Sequence, residues 1–517
     1  MKKVWIGIIL VVLVAAILLP RFFKESEEEP AISSEETITE QLDIYIVSDA
    51  VHRIYQSEER EDMYYTTFMS LGDFGFIPTT YGYEGFLYAQ AFEDYQEETG
   101  TNLNITWFEY EEYMKEALLA EETEKPDLIL ATFASHEDYY LYMDQEMFYD
   151  LTALFDKNEI YTSGKYNTQV LSGGKLYDRQ YIVPLLFNVD TIMGAKSMWQ
   201  DMSLHLEDAQ THSDIMDSLI YAHKQGEVEQ VATQFAQATA FYLPYMLYQG
   251  AGEQWIDYEN KTVNLDEDRF QRMCEFYQQY VREQIPESDI QQGEKIPWHK
   301  SKQLQVDLAI VNEVQLNDFL GEIGCFVEGG GAFQLLLHSA AAQAWYYESR
   351  YRDMEEEFQI IPLYGEDGGT TAHISYFGAV MRSSEHPEAA FQFLQFLMDA
   401  EVEPFFGLAI NRDNLEKQLE YLNTTAYELR PGLQMPLEDG EQPESPADYV
   451  VSPMSTETKE ALEDMIDNIE AVTMPNWPVY MILQAELESY AKDEITMEEA
   501  YQNALSGLQA YIQTEGS

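Results

Sequence analysis

The sequence predicts an α/β fold built on a parallel sheet, and three neighbouring stretches between residues 88 and 131 carry that prediction. Tyr88, Ala91, Phe92 and Tyr95 fall at i, i+3, i+4 and i+7, the apolar stripe of a helix, and Thr99-Gly100 supplies a glycine stop. Leu103, Ile105 and Trp107 then alternate with Asn102, Asn104 and Thr106, the period of two expected of a strand with one buried face. The period turns helical again over Tyr110, Met114, Ala117, Leu118 and Glu121, until Glu122-Thr123-Glu124-Lys125-Pro126 breaks it before the apolar run Leu128-Ile129-Leu130. Strand, helix and strand in about 30 residues make a βαβ unit, which implies a parallel sheet with ligands at the carboxyl ends of its strands. An earlier alternating run, Leu42 to Val47, predicts a first strand, with Asp49 just past its end.

The stretch from Ala91 to Ala131 resembles the opening of the bacterial extracellular solute-binding proteins that feed ABC importers, in the branch that includes maltose-binding protein. Leu176 to Met193 resembles the segment in which such chains first cross between lobes, with Arg179-Gln180 where a Gly-Lys turn is common and Pro184 as the stop of a strand. Gly250 to Tyr277 resembles a short hairpin followed by a helix, and Glu322 to Ala340 runs as strand, three glycines and helix. Phe358 to Met398 resembles the return to the first lobe, with His386-Pro387-Glu388-Ala389-Ala390 opening a helix. Met474-Pro475-Asn476-Trp477-Pro478 resembles the Met-Pro-Asn-x-Pro turn of the maltose-binding branch, ahead of a closing pair of helices. The resemblance spans residues 40 to 515. It implies a two-lobe periplasmic-binding-protein-like fold with a hinge and an interlobe ligand cleft, with lobe one near 41–181 plus 374–408 and lobe two 182–373 plus 409–517. It implies binding without chemistry, and delivery of the solute to membrane permease subunits.

Composition agrees with a folded protein of two or three domains: 517 residues, 45% hydrophobic and 14% aromatic. With 93 Asp and Glu against 29 Lys and Arg, the formal net charge is -64, so nucleic acids would be repelled rather than steered in. Lys2 and Lys3 precede sixteen residues without a charge, Val4 to Leu19, which as a helix span about 24 Å. That length lies between a signal-peptide core and a full membrane span, and either would send the rest of the chain across the membrane. Residues 1–23 therefore stand as signal peptide or membrane anchor, and the acidic, Ser-rich stretch 24–40 as a linker. The only cysteines, Cys274 and Cys325, lie too far downstream for the lipid-modified cysteine that many such proteins carry, which favours an uncleaved helix. Both sit in apolar surroundings expected to hold buried free thiols, although a single bridge stays open.

Candidate ligand contacts cluster in the loops that such a sheet places at its cleft. Phe133, His136, Asp138, Tyr139, Tyr140 and Tyr142 follow the strand ending at Leu130. Their aromatic faces suit the apolar faces of a sugar ring, and packing against the next helix is the alternative. Resemblance adds Glu328 and Phe333 beside the glycine run, and Trp477 and Tyr480 at the start of a late helix. Segments 133–142, 328–334 and 474–480 contain no Arg or Lys, the residues that a peptide carboxylate or an organic anion would need. The ligand expected is thus a neutral oligosaccharide stacked on these rings, with Asp49, Asp138 and Glu328 accepting hydroxyl hydrogen bonds. Peptides and polyamines are the alternative ligands within the same fold, and an extracellular glycosidase is the alternative from another class. No Gly-x-Ser-x-Gly elbow, His-Glu-x-x-His helix, Cys-x-x-Cys pair or EF-hand loop is present, and no cofactor or metal is expected.

Overall fold

The computed structural model describes residues 41–47, 69–70, 75–76, 88–108, 114–115, 118–119, 125–132, 138–201, 206–224, 255–278, 334–336, 340–365, 368–402, 404, 407–429, 449–474 and 476–515. The chain opens with strand β1 (Gln41–Val47), helix α1 (Ala89–Thr99) and strands β2 (Asn102–Phe108) and β3 (Leu128–Thr132). Helix α1 uses the predicted stripe: Tyr88, Ala91, Phe92 and Tyr95 are all buried. It ends at Gly100, whose φ of 74° lets its N–H reach the Gln96 carbonyl, a geometry that glycine adopts without strain. Strand β1 pairs in parallel with β2 on one side and β3 on the other, so the predicted parallel core is present.

Helix α2 (Tyr139–Asp144) follows, then strands β4 (Ile182–Val189) and β5 (Thr191–Ala195), a hairpin of β6 (Ile256–Asp257) and β7 (Thr262–Val263), and helix α3 (Glu267–Tyr277). Next come strand β8 (Gln334–Leu336), helix α4 (Ala340–Asp353) and strands β9 (Phe358–Pro362) and β10 (Gly368–Val380). The chain closes with helix α5 (Pro387–Asp399), strand β11 (Leu408–Ala409), helices α6 (Arg412–Thr424) and α7 (Thr456–Asp467), strand β12 (Ile469–Thr473) and helices α8 (Trp477–Ala491) and α9 (Met497–Glu515). The large sheet has the order β11-β4-β10-β3-β1-β2, and β12 and the short strand Tyr364–Gly365 also pair with β10. A second sheet, β8-β5-β9, is antiparallel.

The two sheets share one continuous crossing. Strand β4 lies in the large sheet and β5 in the small one, with only Asp190 between them. The chain thus leaves the large sheet after Val189. Pro184 does not stop the strand as expected. The register on β10 jumps from Tyr376 opposite Leu186 to Phe377 opposite Pro184, and such a bulge is where a strand tolerates a proline without an N–H. The turn before it has Tyr177 and Asp178 at φ 52° and 61° between the paired strands Lys175–Leu176 and Arg179–Gln180, the two-residue hairpin geometry usually given to Gly or Asn. After the glycine run, residues 334–336 form β8 on β5 where a helix was expected, and the helix starts at Ala340. Leu335 there sits opposite Ile192, so pairing to a buried strand overrides the local helical pattern.

Side chains rather than regular pairing hold several connections. Asp127 accepts from Asp43 N at 3.0 Å and Ser384 Oγ at 2.5 Å, tying β1, β3 and the end of β10 together. Asn414 donates to the Asp399 and Ala400 carbonyls. Gln418 donates to those of Val402 and Gly407 and accepts from Ala409 N. These bonds position β11 from α6. Between α1 and α5, Phe92 and Tyr95 meet Phe393 edge to face at 5.1 and 4.9 Å.

Gly174 accepts no side chain, because a Cβ there would fall on the Ile182 carbonyl. Since backbone cannot yield as a rotamer does, Gly174→Ala is expected to cost about 3 kcal/mol in chemical denaturation. A loss under about 1 kcal/mol would show that the start of β4 can move.

Candidate functional site

Two neighbourhoods gather buried polar groups. The first is built on Asp138, which follows the loop after β3. Its backbone is extended, and Oδ1 accepts from Leu141 N at 3.0 Å, so it caps α2. Oδ2 accepts from the hydroxyl of Tyr258 in the β6–β7 hairpin and from that of Tyr511 in α9 at 3.1 Å. Asn476, the cap of α8, donates to Tyr258 Oη at 3.1 Å. At 2% exposure the Asp138 carboxyl is pushed up by burial, against hydrogen bonds from Tyr258, Leu141, Tyr511 and Asn476. The neighbouring Tyr258 phenol is pushed far up by burial and by the Asp138 charge, so it stays a donor. Asp144, at the other end of α2, is paired with Lys261 of the same hairpin and accepts from Tyr177 Oη at 2.6 Å.

This knot brings together two of the segments singled out in the sequence, 133–142 and 474–480, since Asp138 and Asn476 meet across Tyr258. It also shows what the aromatics there do. Tyr139 is buried with its ring edge to face on Phe377 at 4.7 Å, and Tyr142 and Phe148 surround it. Tyr140 stacks on Tyr258 at 6.2 Å, and Tyr480 is fully buried. Residues 139–143 of α2 are all buried, so the helix is covered on most sides by these rings and their neighbours. Asp49, Phe133, His136, Glu328 and Phe333 lie outside the described residues, as do Cys325 and the segment 4–19. Of Trp477 only the backbone is described, at the start of α8.

The second neighbourhood is the crossing itself. Asp190 Oδ1 and His373 Nδ1 are 2.8 Å apart, both buried, with burial raising the Asp190 carboxyl and the imidazole opposing it. Asp190 also ties the crossing to its neighbours: its N–H donates to the Thr371 carbonyl of β10 at 3.2 Å and its carbonyl accepts from Leu363 N, just past β9, at 2.8 Å. Asn188, Thr191, Thr371, Ser375 and Thr473 are buried around the same stretch. Sequence reasoning missed this seam. Its signal was present in Asn188 and Asp190, which interrupt the apolar run from Tyr181 to Met193. Among the described residues no group of three or more His, Cys, Asp or Glu is placed to hold a metal. Cys274 is buried in α3 as a free thiol, its pKa pushed up to about 12.

The family model for bacterial extracellular solute-binding proteins matches residues 83–404, more than half of the chain. The chain belongs to that family. This solute-binding protein therefore works outside the cytoplasm. Its fold is similar to that of a protein from Synechococcus sp. MITs9220 proposed to be an oligosaccharide periplasmic-binding protein. The TM-score is 0.53 at 12% identity, over 91% of this chain and 99% of that one. It is also similar to a periplasmic solute binding protein from Pectobacterium atrosepticum, with a TM-score of 0.50 at 13% identity, over 93% and 100% of the two chains. Both likenesses concern the two-lobe fold. No curated protein matches the chain. Among the described residues no helix is long and apolar enough to cross a membrane.

The Asp138 knot gives a test with a sign. A carboxyl whose native pKa is raised contributes stability below its unfolded value and loses it as pH rises through the native value. Relative to Asp138→Asn, the wild type should thus be most stable below the ordinary aspartate value of 3.8 and lose ground as pH rises. Asp138→Ala removes both the helix cap and the acceptor for two phenols and should cost about 3 kcal/mol. Thermal melts of the three forms between pH 3 and 8 check both, and a difference that is flat with pH would refute the raised carboxyl.

Proposed function

We propose that this solute-binding protein captures a neutral oligosaccharide outside the cell membrane and passes it to the permease subunits of an ABC importer. The observation that carries the reading is the family match over 83–404 on a frame of two sheets joined at Asp190. The ligand class rests on the sequence of the three loop segments, aromatic and free of Arg and Lys, and on the oligosaccharide role proposed for the Synechococcus protein. In this reading Asp49, His136 and Glu328 offer hydrogen bonds, and Phe133, Phe333 and Trp477 offer stacking faces. Asp138, Tyr139, Tyr140 and Tyr480 are buried, and Asp138 and Asn476 tie α2 to the start of α8 through Tyr258. Lobes joined at a narrow crossing close when a ligand touches both. The protein binds without chemistry, and residues 1–23 serve as its signal peptide or membrane anchor.

A thermal-shift screen of neutral oligosaccharides, peptides and polyamines tests the ligand class. An oligosaccharide with micromolar affinity, about -8 kcal/mol, should raise the melting temperature, and Trp477→Ala should weaken that affinity by at least tenfold. A shift produced only by peptides or only by polyamines would replace the sugar with that class. Release of reducing ends in the same incubations, abolished by one carboxylate substitution, would make the protein a glycosidase.

A further inference from the structure

Among the described residues, five buried side-chain oxygens at the crossing have no hydrogen-bond partner: Asn188 Oδ1, Thr191 Oγ1, Thr371 Oγ1, Ser375 Oγ and Thr473 Oγ1. None of these residues is more than 7% exposed. Strand register puts them along one short stretch. His373 lies opposite Thr473 on β12. Ile374 lies opposite Phe187 on β4, which brings Asn188 level with His373 on the other side. Asp190 and Thr191 continue from Asn188 into the small sheet, held to Thr371 by the Asp190 N–H. Ser375 closes the row under Gly407, where a Cβ would come within 2.7 Å of Ser375 Oγ.

We propose that this seam is a binding site for ordered water, and that water held there carries the polar bonds of the crossing while the two sheets reorient. Buried polar groups are almost always hydrogen-bonded, and five left dry in one stretch would forfeit a sizeable part of a domain's stability. The chemistry of the row selects the occupant. Its titratable members, Asp190 and His373, are already paired with each other. What remains is four hydroxyls and an amide oxygen, with neither the several carboxylates that a divalent cation requires nor a cationic side chain for an anion. A small neutral molecule that both donates and accepts fits such a row, and water with two to four polar partners is the usual one. The placement gives it a use. Direct side-chain bonds between β4, β10 and β12 would fix the crossing in one geometry, whereas bonds through water re-form after a shift at little enthalpic cost. The inference does not depend on which solute is carried, but a ligand hydroxyl has the same chemistry as water, so both sources enter the test.

The test is the substitution of threonine by valine, which keeps the shape and removes the hydroxyl. In a dry seam the hydroxyl is a burden, and Thr371→Val and Thr473→Val should each stabilise the protein. In a hydrated seam each should raise the unfolding equilibrium constant by about fivefold, because the valine leaves the water short of a partner. Thr371→Ser and Thr473→Ser keep the hydroxyl and should retain the water. Crystal structures of wild type and variants without and with an oligosaccharide provide the direct readout. Water density within hydrogen-bond distance of Thr371 and Thr473 is expected in the wild type in both conditions, and its loss at the substituted position in the valine forms. If one valine variant fails to fold, the other and the serine forms carry the test. Stabilisation by either valine, the absence of water density in the wild type, or density that appears only as a sugar hydroxyl would each overturn the proposal.

Discussion

Strand β10 is the member on which the described chain depends. Its carboxyl half pairs with β3, its amino half with β12, and β4 runs along its other edge. The first hundred residues of the fold, the crossing strand and the C-terminal third all meet on this one thirteen-residue segment. Its partners are distant in sequence, so each pairing must overcome a large loop-closure entropy before it contributes. The irregular register around Ile374 to Phe377 is the local adjustment that lets one strand serve β3 and β4 on its two edges.

A scarcity of cations shapes how the buried acids are handled. With 29 Lys and Arg for 93 acids, most carboxylates have no cation to pair with, and neutral donors serve several of the buried or half-buried ones. Asp127 uses a backbone N–H and a serine, Asp138 a backbone N–H and two phenols, and Asp399 the Tyr166 hydroxyl and the Asn411 amide beside one lysine. Asp190 alone among these relies on an imidazole. Tyrosine is therefore structural in this protein as much as it is a ring for ligands, which is why an abundance of tyrosine near the expected cleft is a poor guide to contact.

Local patterns made the opening of the fold legible. The stripe from Tyr88 to Tyr95, the stop at Gly100 and the alternation from Asn102 to Trp107 each depend on neighbours within a few residues, and each element forms where its pattern lies. What stayed hidden depends on partners far along the chain. Pro184 looks like a strand terminator until Phe377 and a bulge are known. Residues 334–336 look helical until Ile192 is placed beside them. The same holds for the site: Asp138 could be picked out as important, but its partners Tyr258 and Tyr511 are 120 and 373 residues away. The seam at the crossing was marked only by polar residues within apolar runs, a signal that gives burial without giving purpose.

The amide row on α6 has a consequence for the water this protein lives in. At a net charge of -64, the exposed ion pairs, such as Lys157 with Glu388 and Lys196 with Glu357, weaken or strengthen with every change in ionic strength. Asn414 and Gln418 hold the connection from Asp399 to Ala409 through carbonyls and one N–H, none of them ionised. These neutral bonds should respond to ionic strength less than the ion pairs Lys165–Asp399 and Lys417–Glu401 in the same connection.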